Sequence, residues 1–169
     1  EIDTSDWEYV IKGYKENPFE ELPLFEKFRN SFQGMKKLKK LHISCDSMQP
    51  YFPDSMCLTI LQRVNTITDF KIECFDFEDE DEIQKGHSSK KVNLGSMLNI
   101  MAKNGTKLEN LSVSSPAISM RTFLEENYDK LCIENISMTG VFSELMAIRH
   151  LLRISKDKQG SVSFNNFWV

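Results

Sequence analysis

Two short segments carry charged or imidazole side chains at alternate positions: Lys40 and His42 in the first, Asp69, Lys71 and Glu73 in the second. Alternation with period two places such residues on one face of a β-strand. Spread over neighbouring strands, these side-chain types do the chemistry of recognition, by pairing with complementary charge on a partner. Catalytic chemistry finds no comparable support. The histidines His42, His87 and His150 stand in no nucleophile pattern with Cys or Ser. There is no glycine-rich phosphate loop, no HExxH and no GxSxG. Cys45, Cys57, Cys74 and Cys132 form no CxxC or CxxH pair, so zinc-ligand spacing is absent. The expectation is a protein that is not an enzyme and carries no cofactor and no metal.

The elements that would position the charged residues come from one apolar template, Φ-x-x-Φ-x-Φ. It occurs as Leu38-x-x-Leu41-x-Ile43, Ile67-x-x-Phe70-x-Ile72, Leu108-x-x-Leu111-x-Val113 and Ile133-x-x-Ile136-x-Met138. A last copy reads Phe164-x-x-Phe167-x-Val169, and a degenerate early one falls in Trp7–Tyr14. The last four positions alternate, as in a strand with one buried face. Between templates the apolar spacing turns helical: 19–32, 55–64, 93–102, 120–128 and 141–154. Asp54 or Ser55, Asn93, Ser119 and Ser143 are plausible N-caps, and Gly34 and Gly105 follow two of the helix ends. Units therefore start near residues 7, 38, 67, 108, 133 and 164.

Such a strand-helix unit cannot bury its own apolar face, and stacking units supplies the missing cover. The fold expected is α/β, a solenoid with parallel strands on a concave face and helices on the convex face. A doubly wound domain would need near-continuously apolar strands, because helices cover both its faces. Here the residues between Φ positions are Lys, His, Asp, Glu, Ser and Asn.

Composition agrees with a folded body. The chain has 169 residues, 40% of them hydrophobic, which excludes a wholly disordered chain. A net charge of −4 argues against a dedicated nucleic-acid binder, and no apolar run approaches the roughly 20 residues of a membrane span. The acidity is local: Glu78, Asp79, Glu80, Asp81 and Glu82 are consecutive, inside an insertion over about 75–91 that reads as a solvated surface loop. Three N-glycosylation patterns begin at Asn104, Asn110 and Asn135, and the last two fall in expected strands, a poor acceptor geometry. The four cysteines fit buried thiols of a reduced, intracellular protein, cytoplasmic or nuclear. The opening Glu1 and the apolar closing stretch Phe164–Val169 read as a segment of a longer chain.

The template followed by a helix resembles the leucine-rich repeat. Cys45 and Cys74 stand two residues beyond the last Φ of their templates, while Ser115 and Gly140 hold that place elsewhere. Cysteine at this position resembles the irregular, cysteine-containing class of the repeat, as in F-box leucine-rich-repeat proteins. The resemblance implies a protein-protein interaction module that recognises a partner on its concave sheet. It also implies the substrate-recruiting repeat region of an F-box ubiquitin-ligase subunit, joined to the ligase complex through regions outside this chain. Many Φ sites are Ile, Phe, Met or Val, and no F-box helical module is present. Helix-bearing repeats also resemble those of innate-immune-type receptors, where the segment would be structural or ligand-sensing. A small α/β enzyme is the third reading.

In either repeat reading the outward positions form columns across the sheet. The candidate partner-binding residues are Lys40, His42, Asp69, Lys71, Glu73, Asn110, Ser112, Asn135, Ser137 and Trp168. The partner expected is a protein, with no nucleic acid and no membrane.

Overall fold

The computed structural model describes Asn30 and residues 37–45, 54–74, 91–142, 146–156 and 161–168. The early template in Trp7–Tyr14, the helix expected over 19–32 apart from Asn30, and the acidic insertion through Lys90 lie outside the described residues.

The chain is α/β, with a six-stranded sheet whose pairings are all parallel. In chain order the elements are β1 (Lys40–Cys45), α1 (Asp54–Arg63), β2 (Asp69–Cys74), β3 (Lys91–Asn93), α2 (Leu94–Lys103) and β4 (Lys107–Ser119). A 3₁₀ helix (Glu125–Lys130), β5 (Cys132–Phe142), α3 (Met146–Lys156) and β6 (Ser161–Trp168) follow. The strands lie in the order β1-β2-β4-β5-β6, so neighbours in sequence are neighbours in space. The short β3 pairs with Ala117–Ser119 of β4, beyond the stretch that β2 occupies. Since β5 holds the other flank of β4 as far as Ile118, β3 continues the line of β2. The insertion thus interrupts one strand position, and β4 is long enough at 13 residues to serve both pieces.

Among the described residues, one face of the sheet is buried. Leu41, Ile43, Phe70, Ile72, Leu111, Val113, Ile136 and Met138 are all within 1% of full burial, as the alternation predicts. They share a single core with Cys57, Ile60, Leu61 and Val64 around α1, Leu94, Met97, Leu98 and Met101 of α2, and Ala147, Leu151 and Ile154 of α3. These helix residues recur every three or four positions, which is the stripe an amphipathic helix turns inward. Removing each large aliphatic side chain from water contributes about 1.5–3 kcal/mol. Cys57 and Cys74 are buried with them, and Cys132 is half-buried. The alternate strand positions face out and are half-buried or exposed.

Local signals set the helix boundaries. Asn93 caps α2, its Oδ1 accepting from the Ser96 amide at 3.2 Å. Gly105 follows α2 with φ +64°, the left-handed geometry common after a helix. Asn104 donates its side-chain amide to the Leu61 carbonyl at 2.8 Å and so ties the end of α2 to that of α1.

Three expectations are corrected. The segment 120–128 is not an α-helix but a turn at Arg121–Thr122 followed by the 3₁₀ helix. Asn99 of α2 explains this: it donates to the Thr122 carbonyl at 2.7 Å and accepts from the Leu124 amide at 3.0 Å. These side-chain bonds take over backbone groups that a helix would have used. The helix expected over 141–154 starts later, because β5 runs on to Phe142 and α3 spans Met146–Lys156.

The third correction concerns the last strand. Val162 pairs with Ile136 and Phe164 with Met138, so β6 enters the sheet five residues earlier than the Phe164–Val169 template predicts. Ser161-Val-Ser-Phe164 offers the same Φ-x-Φ alternation sooner after α3. Phe164 then meets Phe142 edge-on, with ring centroids 6.4 Å apart.

Candidate functional site

The open face of the sheet brings the outward residues into register. The first column runs Lys40, Asp69, Asn110, Asn135 and Ser161. The second runs His42, Lys71, Ser112, Ser137 and Ser163, and the third Ser44, Glu73, Ser114 and Thr139. Parallel strands lie about 4.8 Å apart, close enough for side chains in one column to bond.

The first column is a hydrogen-bonded ladder. Asn110 Nδ2 donates to Asp69 Oδ1 at 2.7 Å, and Asn135 Nδ2 donates to Asn110 Oδ1 at 3.1 Å. Ser161 Oγ donates to Asn135 Oδ1 at 2.9 Å. Every link donates towards Asp69, whose other oxygen accepts from Thr68 Oγ1 at 2.9 Å. The Asn110 and Thr68 hydrogen bonds hold the Asp69 carboxyl below the usual range, with a smaller contribution from the Lys40 charge. A chain of aligned amides ending on a carboxylate polarises in one direction. Each amide also keeps an N–H that the ladder does not use, since the group has two.

The charged residues of the neighbouring columns are spent on one another. Lys71 Nζ lies 2.7 Å from Glu73 Oε1, and His42 Nε2 lies 2.7 Å from Glu73 Oε2. Partial burial pulls the Glu73 carboxyl up, but the bonds and charges of Lys71 and His42 outweigh it and the net direction is down. Glu73 thus uses both oxygens to hold two cationic or imidazole groups across β1 and β2. From β4 onward the described side chains of the face are small and uncharged: Asn110, Ser112, Ser114, Asn135, Ser137, Thr139, Ser161 and Ser163.

The structure therefore brings together Lys40, His42, Asp69, Lys71, Glu73, Asn110, Ser112, Asn135 and Ser137 on one face. It separates Trp168, which pairs with Val141, whereas Ser163 stands beside Ser137. Ser161 continues the first column beside Asn135. The sequence reading misses Thr68 and Ser161 as ladder members. The Ser-Val-Ser-Phe alternation is the signal that would have found Ser161; Thr68 has none, because it precedes the strand.

Gly140 lets β5 approach β4 closely. It lies beside Ser115 at φ +129°, and a Cβ there would sit 1.8 Å from the Ser115 carbonyl oxygen. Pro116 follows at the irregularity between Ser115 and Ile118, where a missing N–H costs the ladder nothing.

An open groove of about 530 Å³ lies where β2, β4 and β5 begin. Lys39 and Lys107 share it with Glu109 and Glu134, so its charges balance.

Behind the sheet, His150 is buried, although its place in the sequence suggests a cation near a helix end. His150 Nδ1 bonds the Tyr128 hydroxyl, and Phe123 packs edge-on against both rings. The Arg153 guanidinium lies 4.1 Å from the Tyr128 ring centroid. Burial and the Glu125 charge raise the Tyr128 phenol above its ordinary range, against the opposing pull of Arg153 and Arg149.

Comparison with family models, with curated proteins and with solved structures returns no match for this chain. The functional reading accordingly rests on the geometry.

Proposed function

We propose that the chain is a segment of a leucine-rich-repeat-like solenoid and that its open sheet face binds a protein partner. The carrying observation is a sheet with strictly sequential parallel strands, one face buried and the other lined by in-register polar side chains. Crossovers between sequential parallel strands share one hand, which favours helices on a single side. That leaves the other side open for contact with several strands at once.

The self-paired charges sharpen the kind of recognition. A partner meets a polarised ladder and a rigid Lys71–Glu73–His42 group on β1 and β2, and a low, neutral hydroxyl and amide surface from β4 onward. Small side chains permit close approach, and the spare amide N–H groups supply donors. In its finer form the proposal makes this the substrate-recruiting repeat region of an F-box ubiquitin-ligase subunit, a non-catalytic module that works inside the cell.

A photo-crosslinking residue at Ser112, in the middle of the face, tests the reading against the same residue at Lys103, on the end of α2. In cells, Ser112 should give a discrete adduct that Asn110→Arg abolishes, and Lys103 should not. Identical adducts from both positions would sink the sheet-face assignment. The F-box form is tested by co-purification of cullin-complex components with the full-length protein, and their absence removes it.

A further inference from the structure

The outer face of α3 shows apolar and basic residues where an amphipathic helix normally shows mixed polar ones. Among its described side chains the exposed ones are Met146, Arg149, Leu152 and Arg153. At about 100° per residue these four fall within an arc of about 120°, in the order Leu152, Arg149, Arg153, Met146. Two arginines are thus flanked by apolar rims. Met146 and Leu152 are 46% and 48% exposed, and Leu124, which leads into the adjoining 3₁₀ helix, is 52% exposed. Among the described residues these three are the exposed large hydrophobics: two stand on α3, and the third precedes the 3₁₀ helix that touches α3.

Among the described residues no carboxylate pairs with either arginine. α3 contains no acidic residue. Glu125 is near enough for its charge to reach Tyr128, yet among the described residues neither Arg149 nor Arg153 is in an ion pair. Arg153 is also held in place. Its guanidinium lies against the Tyr128 ring, and Tyr128 is fixed by its bond to the buried His150 and by Phe123. A guanidinium held against a ring in this way loses less freedom on binding a carboxylate than a free one.

We propose that the outer face of α3 is a second docking site, distinct from the sheet face, and that its occupant is an acidic amphipathic segment of a partner protein. Two carboxylates spaced to meet Arg149 and Arg153 fit the centre of the arc. Apolar side chains beside them cover Met146, Leu152 and Leu124. Charge complementarity selects this occupant: a basic or neutral segment would leave both guanidinium groups unpaired under the contact.

The test is selection of a displayed library of random 16-residue peptides on the immobilised chain. A fluorescein-labelled winner is then measured by anisotropy. The selected peptides should share two acidic residues one helical turn apart with apolar neighbours. Arg149→Glu with Arg153→Glu should weaken the winner at least about tenfold, and the same peptide with its acids changed to lysine should regain binding to that double variant. Asn110→Arg, on the sheet face, should leave the affinity unchanged.

Selection without an acidic consensus overturns the proposal, as does a winner that tolerates the double variant or loses binding through Asn110→Arg. Vesicles containing phosphatidylserine form the second arm. Arginine-dependent sedimentation with them, and no selected peptide, assigns the face to anionic membrane and also overturns the proposal. Thermal melts of the double variant within about 2 °C of the parent show that lost binding is not lost folding.

Discussion

The open sheet face and the outer face of α3 both carry charge, but they differ in what that charge is spent on. On the sheet, Glu73 holds His42 and Lys71, and Asp69 terminates a ladder through Asn110 and Asn135. On α3, Arg149 and Arg153 stand among exposed Met146 and Leu152, outside any ion pair among the described residues. The first region is cross-linked by these bonds, so as a docking face it would present shape and directed donors more than free charge. The second offers charge to whatever covers it. The number of charged residues in a segment therefore says little about the charge available to a partner.

The comparison is broken most severely through the backbone of the rigid region. Gly140→Ala forces a Cβ onto the Ser115 carbonyl in a conformation that L-residues avoid, and should cost at least about 3 kcal/mol in urea denaturation. A loss under about 1 kcal/mol would show that β4 and β5 part easily and that the face is not rigid. Leu111→Ala, directly beneath the ladder, should cost about 2–5 kcal/mol as a close-packed core truncation. The equivalent truncation on the other region, Leu152→Ala, should stay within about 0.5 kcal/mol.

Acid-base behaviour separates the regions further. Asp54, at the start of α1, is pushed up to about 6 by burial, against the lowering effect of its bond from the Asn93 amide. The folded chain then keeps a proton that the unfolded chain has released, so stability falls as pH rises from about 4 to 6. Asp54→Asn should flatten that window and gain on the order of 1 kcal/mol at neutral pH. Asp69 and Glu73 act in the opposite sense. Both are lowered, so their contribution is present above the ordinary carboxylate range and is lost as pH falls through their folded values. Denaturation curves of Asp54→Asn and Glu73→Gln at pH 3 to 7 should bend in opposite directions, and parallel curves would contradict the assignment.

The smallest effect sharpens the comparison most. Exchanging Lys71→Glu with Glu73→Lys keeps an internal ion pair, so stability should move by less than about 1 kcal/mol. The pattern presented to a partner is inverted, and sheet-face crosslinking from Ser112 should fall. Arg149→Glu should likewise leave stability within about 0.5 kcal/mol while weakening acidic-peptide binding. If both exchanges leave their binding readouts unchanged, the distinction between the two regions has no functional content.

Much of the sheet is legible in the sequence, because Leu41, Phe70, Leu111 and Ile136 each sit one strand period before another buried residue. Burying one face sets the register, since a one-residue slip would turn every such residue to water. The helices at α1 and α2 are legible for the same reason, with Asn93 as a readable cap. The partners of the outward residues are less so. His42 and Glu73 are 31 residues apart and meet diagonally across two strands. Column order predicts their neighbourhood but not that Glu73 would consume both neighbours.

The sequence by itself determined which residues turn inward, since apolar periodicity reports the face that must leave water. It also determined that one sheet face is polar, because the residues between the apolar positions could not be buried without partners. Tertiary structure alone decided three things. It chose between two competing Φ-x-Φ patterns in β6, where the match of Phe164 to Phe142 favours the earlier one. It replaced the helix at 120–128, because Asn99 satisfies backbone groups from another element. And it decided which charges remain available, because neutralisation depends on distances of a few ångströms between residues that are far apart in the chain.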